Sequence, residues 1–352
     1  MGQGLISFKE FCLADFMKKG YNTPMTYLLL ALGLFLLFIG GDWLVAGSVA
    51  VARRLKVSPL LIGLTLVGFG TSTPELVTSL IATYEGSAGI SVGNVVGSNI
   101  ANILLVLGVA ALLNPVQVKG KSFKRDAAFL AFSTLVLVLA SSFGTIGHLL
   151  GTVMVGALIF YVIYSYKTEK ELPDETEKPA PLIPSLARTV AGILLTLLGA
   201  KLLVDNSVLL ARAWGVSESV IGLTIVAVGT SLPELATSIM SALKKQGDVA
   251  FGNVIGSNIY NSLFILGVTA LFMPVQIPAG IGIDLVLMSA VTALMIGIAF
   301  TLKKYKNQRR THVDYLEALS HCRCQGVRHR PAGLWHSAVH VIYGQQSLWL
   351  WR

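Results

Sequence analysis

The stretch GTSTPEL at residues 70–76 recurs almost unchanged as GTSLPEL at residues 229–235. An offset of 159 residues (234 − 75) aligns the two copies, and it aligns shorter motifs on both sides of them without a gap. These motifs are IGLT (62–65 and 221–224), GN-V (93–95 and 252–254), GSNI (97–100 and 256–259) and PVQ (115–117 and 274–276). A match of this extent indicates an internal repeat, so we expect two structurally equivalent halves.

The composition is typical of a membrane protein. Of the 352 residues, 54% are hydrophobic and 13% are charged, whereas soluble domains carry about 25% charged residues. Nine apolar segments are long enough to cross a bilayer as helices, which takes roughly 20 residues each. They are residues 25–47, 57–84, 88–113, 126–143, 146–166, 185–210, 217–244, 248–273 and 279–302. We therefore expect an all-α, multi-pass protein of the inner or plasma membrane.

The charged residues indicate how the two halves are oriented. The net charge of +9 is spread over short loops between the apolar segments, which favours a topology signal over a nucleic-acid surface. Aligned positions swap charge, because Glu85-Gly86 in the first copy becomes Lys244-Lys245 in the second. The halves are therefore predicted to cross the membrane in opposite directions. Inverted repeats are typical of secondary transporters, which bind their substrate near the bilayer midplane.

The repeat divides the chain into five parts. They are an N-terminal extension (1–24), a first repeat with five helices (25–166), a linker (167–184), a second repeat with four recognisable helices (185–304) and a basic tail (305–352). The linker is charged and rich in proline, which favours a cytoplasmic tether over a regulatory segment.

The tail departs from the repeat pattern. Residues 309–352 contain no apolar run of spanning length, so the helix that would match 146–166 is expected to be missing or replaced. Cys322-x-Cys324 among histidines could bind a metal ion, but this spacing is a weak signal. The mixed His, Cys, Arg and Trp content of the tail is more typical of an out-of-frame translation product.

Two carboxylates are predicted to lie deep inside the membrane. Glu75 and Glu234 would each cost about 2.5–3.5 kcal/mol at the midplane unless something compensates the charge. A proline precedes each glutamate, and proline removes a backbone hydrogen bond and frees carbonyls near Gly70 and Gly229. Irregular backbone at this depth is tolerated where it faces protein or a water-filled cavity. The sequence thus predicts a broken helix at a cation site, in preference to a packing kink.

Hydroxyl and amide side chains accompany each glutamate. Two hydroxyl residues share a helical face with it, and a serine and an asparagine stand four residues apart in the segment that begins with GSNI. These residues are Thr71, Ser72, Ser98 and Asn102 in the first copy, and Thr230, Ser231, Ser257 and Asn261 in the second. For the GSNI segments alone, ordinary helix packing is an equally good interpretation.

Every ligand atom that these residues offer is oxygen. Ca²⁺ takes roughly 6–8 oxygen ligands, and the lack of His and Cys in the motifs disfavours zinc or copper. Two glutamates balance the charge of one Ca²⁺ or of two Na⁺, so one site could hold either load in turn. A third Na⁺ would make such an exchange electrogenic.

The segments GTSTPE with GSNIAN, and GTSLPE with GSNIYN, resemble the two alpha-repeats of the cation/calcium exchanger superfamily, in its sodium/calcium exchanger branch of prokaryotic type. The resemblance covers about residues 25–304. It implies a ten-helix architecture in two inverted halves that exchanges Ca²⁺ against Na⁺ by alternating access. It implies no enzymatic activity, no cofactor and no obligatory protein partner.

The resemblance also implies which atoms bind the ions. By matching motif positions, the ligands would be Thr71, Ser72, Glu75, Ser98 and Asn102, then Thr230, Ser231, Glu234, Ser257 and Asn261, with backbone oxygens at Gly68 and Ala227. Some prokaryotic members carry an acidic residue where this chain has Asn261, and this difference bears on the number of bound Na⁺.

Two other transport functions remain open on the sequence. A proton/Ca²⁺ antiporter would share the fold, but that branch resembles GN-x-x-E where this chain has Thr71-Ser72 and Thr230-Ser231, which favours sodium. A cation channel would conduct ions without countertransport. An intramembrane hydrolase is disfavoured, because the sequence contains neither H-E-x-x-H nor G-x-S-x-G.

Overall fold

The computed structural model describes residues 23–114, 122–168, 180–216 and 227–301. The chain divides into a unit of Met1–Ala299 and a second unit of Phe300–Arg352. Only residues 300 and 301 of the second unit are described, so the predicted tail and its Cys322-x-Cys324 lie outside the described residues. The same is true of most of the N-terminal extension and most of the linker. The fold that follows is that of the first unit.

The first repeat consists of helices joined by short turns. Its elements are α1 (Thr23–Leu55), α2 (Pro59–Thr71), α3 (Thr73–Tyr84), α4 (Ala88–Leu113), α5 (Ser122–Ser142), β1 (Thr145–Ile146) and α6 (His148–Thr168). Two of these helices contain a π-helical stretch, Gly63–Val67 in α2 and Asn102–Leu107 in α4.

The second repeat has matching elements. They are α7 (Leu182–Ala213), α8 (Ala227–Gly229), α9 (Leu232–Leu243), α10 (Gly247–Phe272), β2 (Val275–Gln276) and α11 (Gly282–Thr301). Helix α10 also contains a π-helical stretch, Tyr260–Ile265. The two-residue strands β1 and β2 pair antiparallel, with Thr145 opposite Gln276.

Most of the predicted membrane spans coincide with these helices. Six described helices are long and apolar enough to cross a membrane, and the bent pair of α2 and α3 gives a seventh. The predicted span 126–143 corresponds to α5, whose first turn includes Lys124 and Arg125. The predicted span 217–244 is described only from Ala227 onward.

Some boundaries differ from the predicted ones. Helix α1 runs to Leu55 instead of ending at residue 47, because Arg53 and Arg54 extend it beyond the apolar segment. The span predicted to begin at residue 146 begins at His148, because residues 145 and 146 form β1.

The two repeats are equivalent residue by residue. At the offset of 159 (234 − 75), α3 begins and ends opposite the first and last residues of α9. Left-handed residues that close helices also match: Gly86 (φ 77°) corresponds to Lys245 (φ 58°), and Lys56 (φ 57°) to Gly215 (φ 78°). The repeat read from the sequence is thus a repeat of structure.

The equivalent helices α1 and α7 lie antiparallel and in close contact. Small residues bring their backbones together, since a Cβ atom added to Gly33 would lie 2.9 Å from Gly199 O, and one added to Gly40 would lie 2.5 Å from Thr196 N. Close approach through small residues is a common way for helices to associate in a membrane. The antiparallel direction of equivalent helices agrees with the predicted inversion.

Helix α10 lies at the centre of the fold. Every residue from Val249 to Ile259 is buried. Gly63 of α2 packs against it so closely that an added Cβ would lie 2.7 Å from Val249 O. This contact fixes α2, which carries part of the first sequence motif, against the central helix of the other repeat.

Candidate cation site

The two motifs that contain the glutamates interrupt their helices. Helices α2 and α3 form an angle of 42°, and Ser72 between them has a backbone conformation outside the helical region (φ −82°, ψ 10°). In the second repeat, Ser231 before α9 has nearly the same conformation (φ −87°, ψ 5°). Proline is tolerated at the second position of each following helix, where its missing N–H is not needed. The broken helices agree with the prediction from the sequence.

The breaks place both glutamates in the first turns of new helices. Glu75 and Glu234 are both 0% exposed and lie in the first turns of α3 and α9. Ser72, three residues before Glu75, lies at the break between α2 and α3. Ser72 Oγ donates to Glu234 Oε1 at 3.1 Å. The structure therefore brings the carboxylates of the two repeats into one site.

The surroundings of the two carboxylates differ. Ser72 Oγ donates to one oxygen of the Glu234 carboxylate, Oε1, whereas Oε2 has no hydrogen-bond partner among the described residues. Neither oxygen of Glu75 has a hydrogen-bond partner among the described residues. A buried charged oxygen without a partner is strongly unfavourable. Oxygen atoms of this kind fit a hard cation, which accepts several oxygen ligands at once.

Most of the predicted ligand residues are buried. At most 4% of each of the following residues is exposed: Thr71, Ser72, Glu75, Ser98, Asn102, Ser231, Glu234, Ser257 and Asn261. Thr230 is partly exposed, and Ala227 begins α8. The Gly68 carbonyl accepts from Ser72 N at 3.1 Å and from Thr71 Oγ1 at 3.4 Å. It would therefore share its lone pairs with these donors if it bound an ion.

The GSNI segments of α4 and α10 face each other. Asn102 Nδ2 donates to Asn258 Oδ1 at 3.2 Å, and Asn99 Nδ2 donates to Ser262 Oγ at 2.9 Å. The amide of Asn261 has no hydrogen-bond partner in the part of the chain that the structure describes. The GSNI residues thus serve helix packing between α4 and α10, and their role as ion ligands stays a prediction.

Asn94 and Asn253 contact the backbone of the two glutamates, although neither was among the predicted ligands. Asn94 Nδ2 donates to the main-chain oxygen of Glu75 and to Ser79 Oγ, both at 3.2 Å. Asn253 Nδ2 donates to the main-chain oxygen of Glu234 at 3.3 Å and to Ser238 Oγ at 3.1 Å. The repeated GN-V motif contained the signal, but spacing alone did not connect it with the glutamates.

The π-helical stretches were also missed. Of the three described stretches, one begins at the predicted ligand Asn102 and another at Tyr260, next to the predicted ligand Asn261. The third, Gly63–Val67, ends before the predicted ligand Gly68. Short π-helical segments are often found at functional sites. No residue type identifies such a segment in the sequence.

Comparison with known proteins decides the family. The family model described as "Sodium/calcium exchanger protein" matches residues 25–167 and 184–322. The chain belongs to the sodium/calcium exchanger family. It is therefore a multi-pass membrane protein of an antiporter family, as the resemblance implied. The second matched region runs beyond residue 304, where the sequence placed the end of the second repeat.

Three relatives within or near this family are informative. Sodium/calcium exchanger MaX1 of Methanosarcina acetivorans is 33% identical over 336 residues, covering 80% of this chain and 94% of that protein. The solved structure of the sodium-calcium exchanger NCX_Mj matches with a TM-score of 0.70 and 36% identity, covering 78% of this chain and 90% of that one. Ca(2+)/H(+) antiporter ChaA of Bacillus subtilis is 26% identical over 286 residues, covering 72% of this chain and 80% of that protein. The two-repeat exchanger fold is thereby confirmed.

Proposed function

We propose that this chain exchanges Ca²⁺ for Na⁺ across the membrane at the site between the two broken helices. The observation that carries the proposal is the pair of fully buried carboxylates, one from each repeat. Ser72, three residues before Glu75, donates a hydrogen bond to Glu234 Oε1 of the other repeat at 3.1 Å. Two carboxylates balance one Ca²⁺ or two Na⁺, so the ions would compete for the same charge.

The predicted ligand set supports a hard cation as substrate. The buried residues of the site offer carboxylate, hydroxyl and amide oxygens, and no sulfur or imidazole comes from the two motifs. Ca²⁺ takes roughly 6–8 such ligands in a flexible geometry. The hydroxyl and carbonyl oxygens are neutral ligands that also suit Na⁺. The full set of ligands in the proposal is the one implied by the family resemblance.

Charge provides a reason for obligatory exchange. A closed site without cations would contain two uncompensated carboxylates in a low-dielectric environment, which is strongly unfavourable. A site loaded with Ca²⁺ or with Na⁺ would be compensated, so it could close and reopen on the other side. Alternating access would then be limited to loaded states, whereas a channel would conduct in a single open state.

A proton-coupled exchange is the second candidate, because the Bacillus subtilis relative named as a Ca(2+)/H(+) antiporter shares similarity over most of this chain. Protons could replace Na⁺ by neutralising the same two glutamates. The hydroxyl pairs Thr71-Ser72 and Thr230-Ser231 favour Na⁺, since a proton needs no further oxygen ligands.

Uptake of ⁴⁵Ca²⁺ into proteoliposomes distinguishes these functions. We expect uptake when a Na⁺ gradient is imposed and the pH is clamped by an ionophore, and little uptake with a pH gradient in Na⁺-free buffer. Uptake driven by pH alone would support the proton antiporter, and uptake without any counter-ion would support a channel. A second preparation with a spanning helix in place of residues 309–352 shows whether the tail affects transport.

A further inference from the structure

The main-chain carbonyl of each site glutamate accepts a hydrogen bond from an asparagine of the next long helix. In the first repeat the donor is Asn94 of α4, and in the second it is Asn253 of α10, with nitrogen–oxygen distances of 3.2 and 3.3 Å. Each amide also donates to a serine one turn further along the glutamate helix, Ser79 or Ser238, at 3.2 and 3.1 Å. The arrangement occurs twice, at equivalent positions in both repeats.

These amides compensate for a weakness of the broken helices. Helices α3 and α9 have only 12 residues each and begin at an interruption of the preceding helix. The hydrogen bonds of a continuous helix therefore do not fix their rotation about the helix axis or their position along it. An amide that contacts the helix at two points, one turn apart, fixes both. The direction of the glutamate side chain depends on that position.

The same asparagines stand in line with the predicted ligands of their own helices. Asn94 precedes Ser98 and Asn102 by four and eight residues, and Asn253 precedes Ser257 and Asn261 by the same intervals. Residues at these intervals lie along one helical face. Each asparagine therefore holds the glutamate helix against the face that presents the serine and asparagine oxygens, and it sets the distance between the two groups of ligands.

Asn253 has a third contact, which crosses between the repeats. Its Oδ1 accepts from Thr71 Oγ1 at 3.2 Å, and its side chain is completely buried. Asn253 thus connects the backbone of Glu234 with a predicted ligand from the first repeat.

We propose that Asn94 and Asn253 are positioning residues of the cation site, which fix the separation between each glutamate and the hydroxyl and amide ligands of the following helix. The proposal rests on the proposed exchange function, because it assumes that Glu75 and Glu234 bind the cation. Neither asparagine needs to contact the ion. Residues that orient the ligands of a metal typically change its affinity by 10–100-fold when they are replaced.

The test uses Asn94→Leu and Asn253→Leu, which keep a similar side-chain size and remove the donors. Asn206→Leu is the matched control, because Asn206 is buried like Asn253 but its amide donates to Leu202 O within its own helix. Binding of ⁴⁵Ca²⁺ to the purified full chain, displacement of that Ca²⁺ by Na⁺, and the melting temperature without either ion are measured for each variant.

A roughly 10–100-fold loss of Ca²⁺ affinity in both asparagine variants, with a changed ratio of Na⁺ to Ca²⁺ affinity, is expected. The loss should be larger for Asn253→Leu, and Asn206→Leu should bind Ca²⁺ like the unmodified chain. Ca²⁺ affinities that equal that of Asn206→Leu, at any melting temperature, would overturn the proposal, because the amides would then serve packing alone.

A second pair of variants covers the case in which the leucine variants do not fold. Ser79→Ala and Ser238→Ala remove only the second contact of each amide, and a smaller loss of Ca²⁺ affinity is expected for both. Unchanged affinity in both serine variants, together with leucine variants that do not fold, would also overturn the proposal. Glu75→Gln separates failure of the positioning role from failure of the proposed exchange function. If Glu75→Gln binds Ca²⁺ like the unmodified chain, the proposed function itself is wrong.

Discussion

At the scale of single residues, the two site glutamates are chemically alike but differently surrounded. Glu234 accepts a hydrogen bond from Ser72 at 3.1 Å, and Ser72 belongs to the other repeat. The equivalent hydroxyl, Ser231 Oγ, has no hydrogen-bond partner in the described ranges. Only one of the two equivalent serines therefore forms a hydrogen bond with the glutamate of the other repeat. The site is asymmetric in this structure.

This difference predicts unequal effects of two matched substitutions. Ser72→Ala leaves Glu234 Oε1 without its donor, and an unsatisfied buried charged group costs about 1–3 kcal/mol or more. Ser231→Ala removes no such bond, so it should lower the stability much less. Thermal unfolding of the purified protein in Na⁺-free, Ca²⁺-free buffer measures both effects. Equal melting temperatures for the two variants would contradict the assigned hydrogen bond.

Much of the candidate site could be predicted at this scale, and the reason is its repetition. A carboxylate, two hydroxyls, a serine and an asparagine recur at one fixed offset, which few packing motifs would do. Asn94 and Asn253 could not be assigned in the same way. Spacing along one helix shows which residues share a face, but it does not show which backbone carbonyl of a neighbouring helix that face contacts.

At the scale of the elements, glycine packing holds α1 and α7 together. The position of Gly40 leaves no space for a methyl group, since its Cβ would lie 2.5 Å from Thr196 N and 2.9 Å from Gly192 O. These neighbours are backbone atoms, so they cannot move aside as a flexible side chain would. The contact depends on the absence of a side chain at this residue.

Gly40→Ala should therefore separate the two helices and destabilise the fold. Overpacking of a close contact typically costs about 1–3 kcal/mol. Gly156→Ala in α6 is the control, because no atom lies within 4 Å of its added Cβ. The melting temperature should fall for Gly40→Ala and stay near that of the unmodified chain for Gly156→Ala. A Gly40→Ala variant as stable as the control would show that the contact of α1 with α7 can relax.

The ends of helices could be predicted where an apolar segment gives way to polar residues or where a proline occurs. Elements without such a change in composition could not be predicted. The apolar segments give the helices, and the prolines give the breaks before Glu75 and Glu234. The π-helical stretches and the β1–β2 pair depend on contacts between segments distant in sequence, such as Thr145 opposite Gln276. No local pattern encodes these contacts.

At the scale of the whole molecule, the two repeats have different contacts although their residues are equivalent. Asp42 of α1 forms an ion pair with Lys244 at the end of α9, at 2.7 Å. The residues equivalent to Asp42 and Lys244, at the offset of 159 (234 − 75), are Lys201 and Glu85. The charges are reversed, and Lys201 instead pairs with Asp205 at 2.9 Å.

The helix surfaces show the same difference. Gly41 of α1 packs against α9, where an added Cβ would lie 3.1 Å from Met240 Cγ, and Ala236 of this face is 7% exposed. The equivalent face of α3 is open, with Val77 48% and Ile81 51% exposed. If inverted repeats exchange their conformations during transport, α7 should cover the face of α3 in the oppositely facing state.

That exchange predicts an alternative ion pair between Lys201 and Glu85. In a chain whose three cysteines are replaced by serine, the double variants Lys201→Cys/Glu85→Cys and Asp42→Cys/Lys244→Cys should both form disulfides under mild oxidation. Each disulfide should stop Ca²⁺ exchange, and a reducing agent should restore it. If Asp42→Cys/Lys244→Cys forms a disulfide and Lys201→Cys/Glu85→Cys forms none in any ionic condition, the exchange of conformations would be contradicted.

The measurement that tests the proposed function most directly is Na⁺-driven ⁴⁵Ca²⁺ uptake by the unmodified chain, Glu75→Gln and Glu234→Gln, reconstituted in equal amounts. Asp284→Asn, which removes an exposed carboxylate from α11, serves as the control. We expect uptake by the unmodified chain and by Asp284→Asn, and loss of uptake in both glutamine variants, since each leaves one carboxylate for a divalent ion. Uptake that persists in either glutamine variant would contradict a single site built from one carboxylate of each repeat.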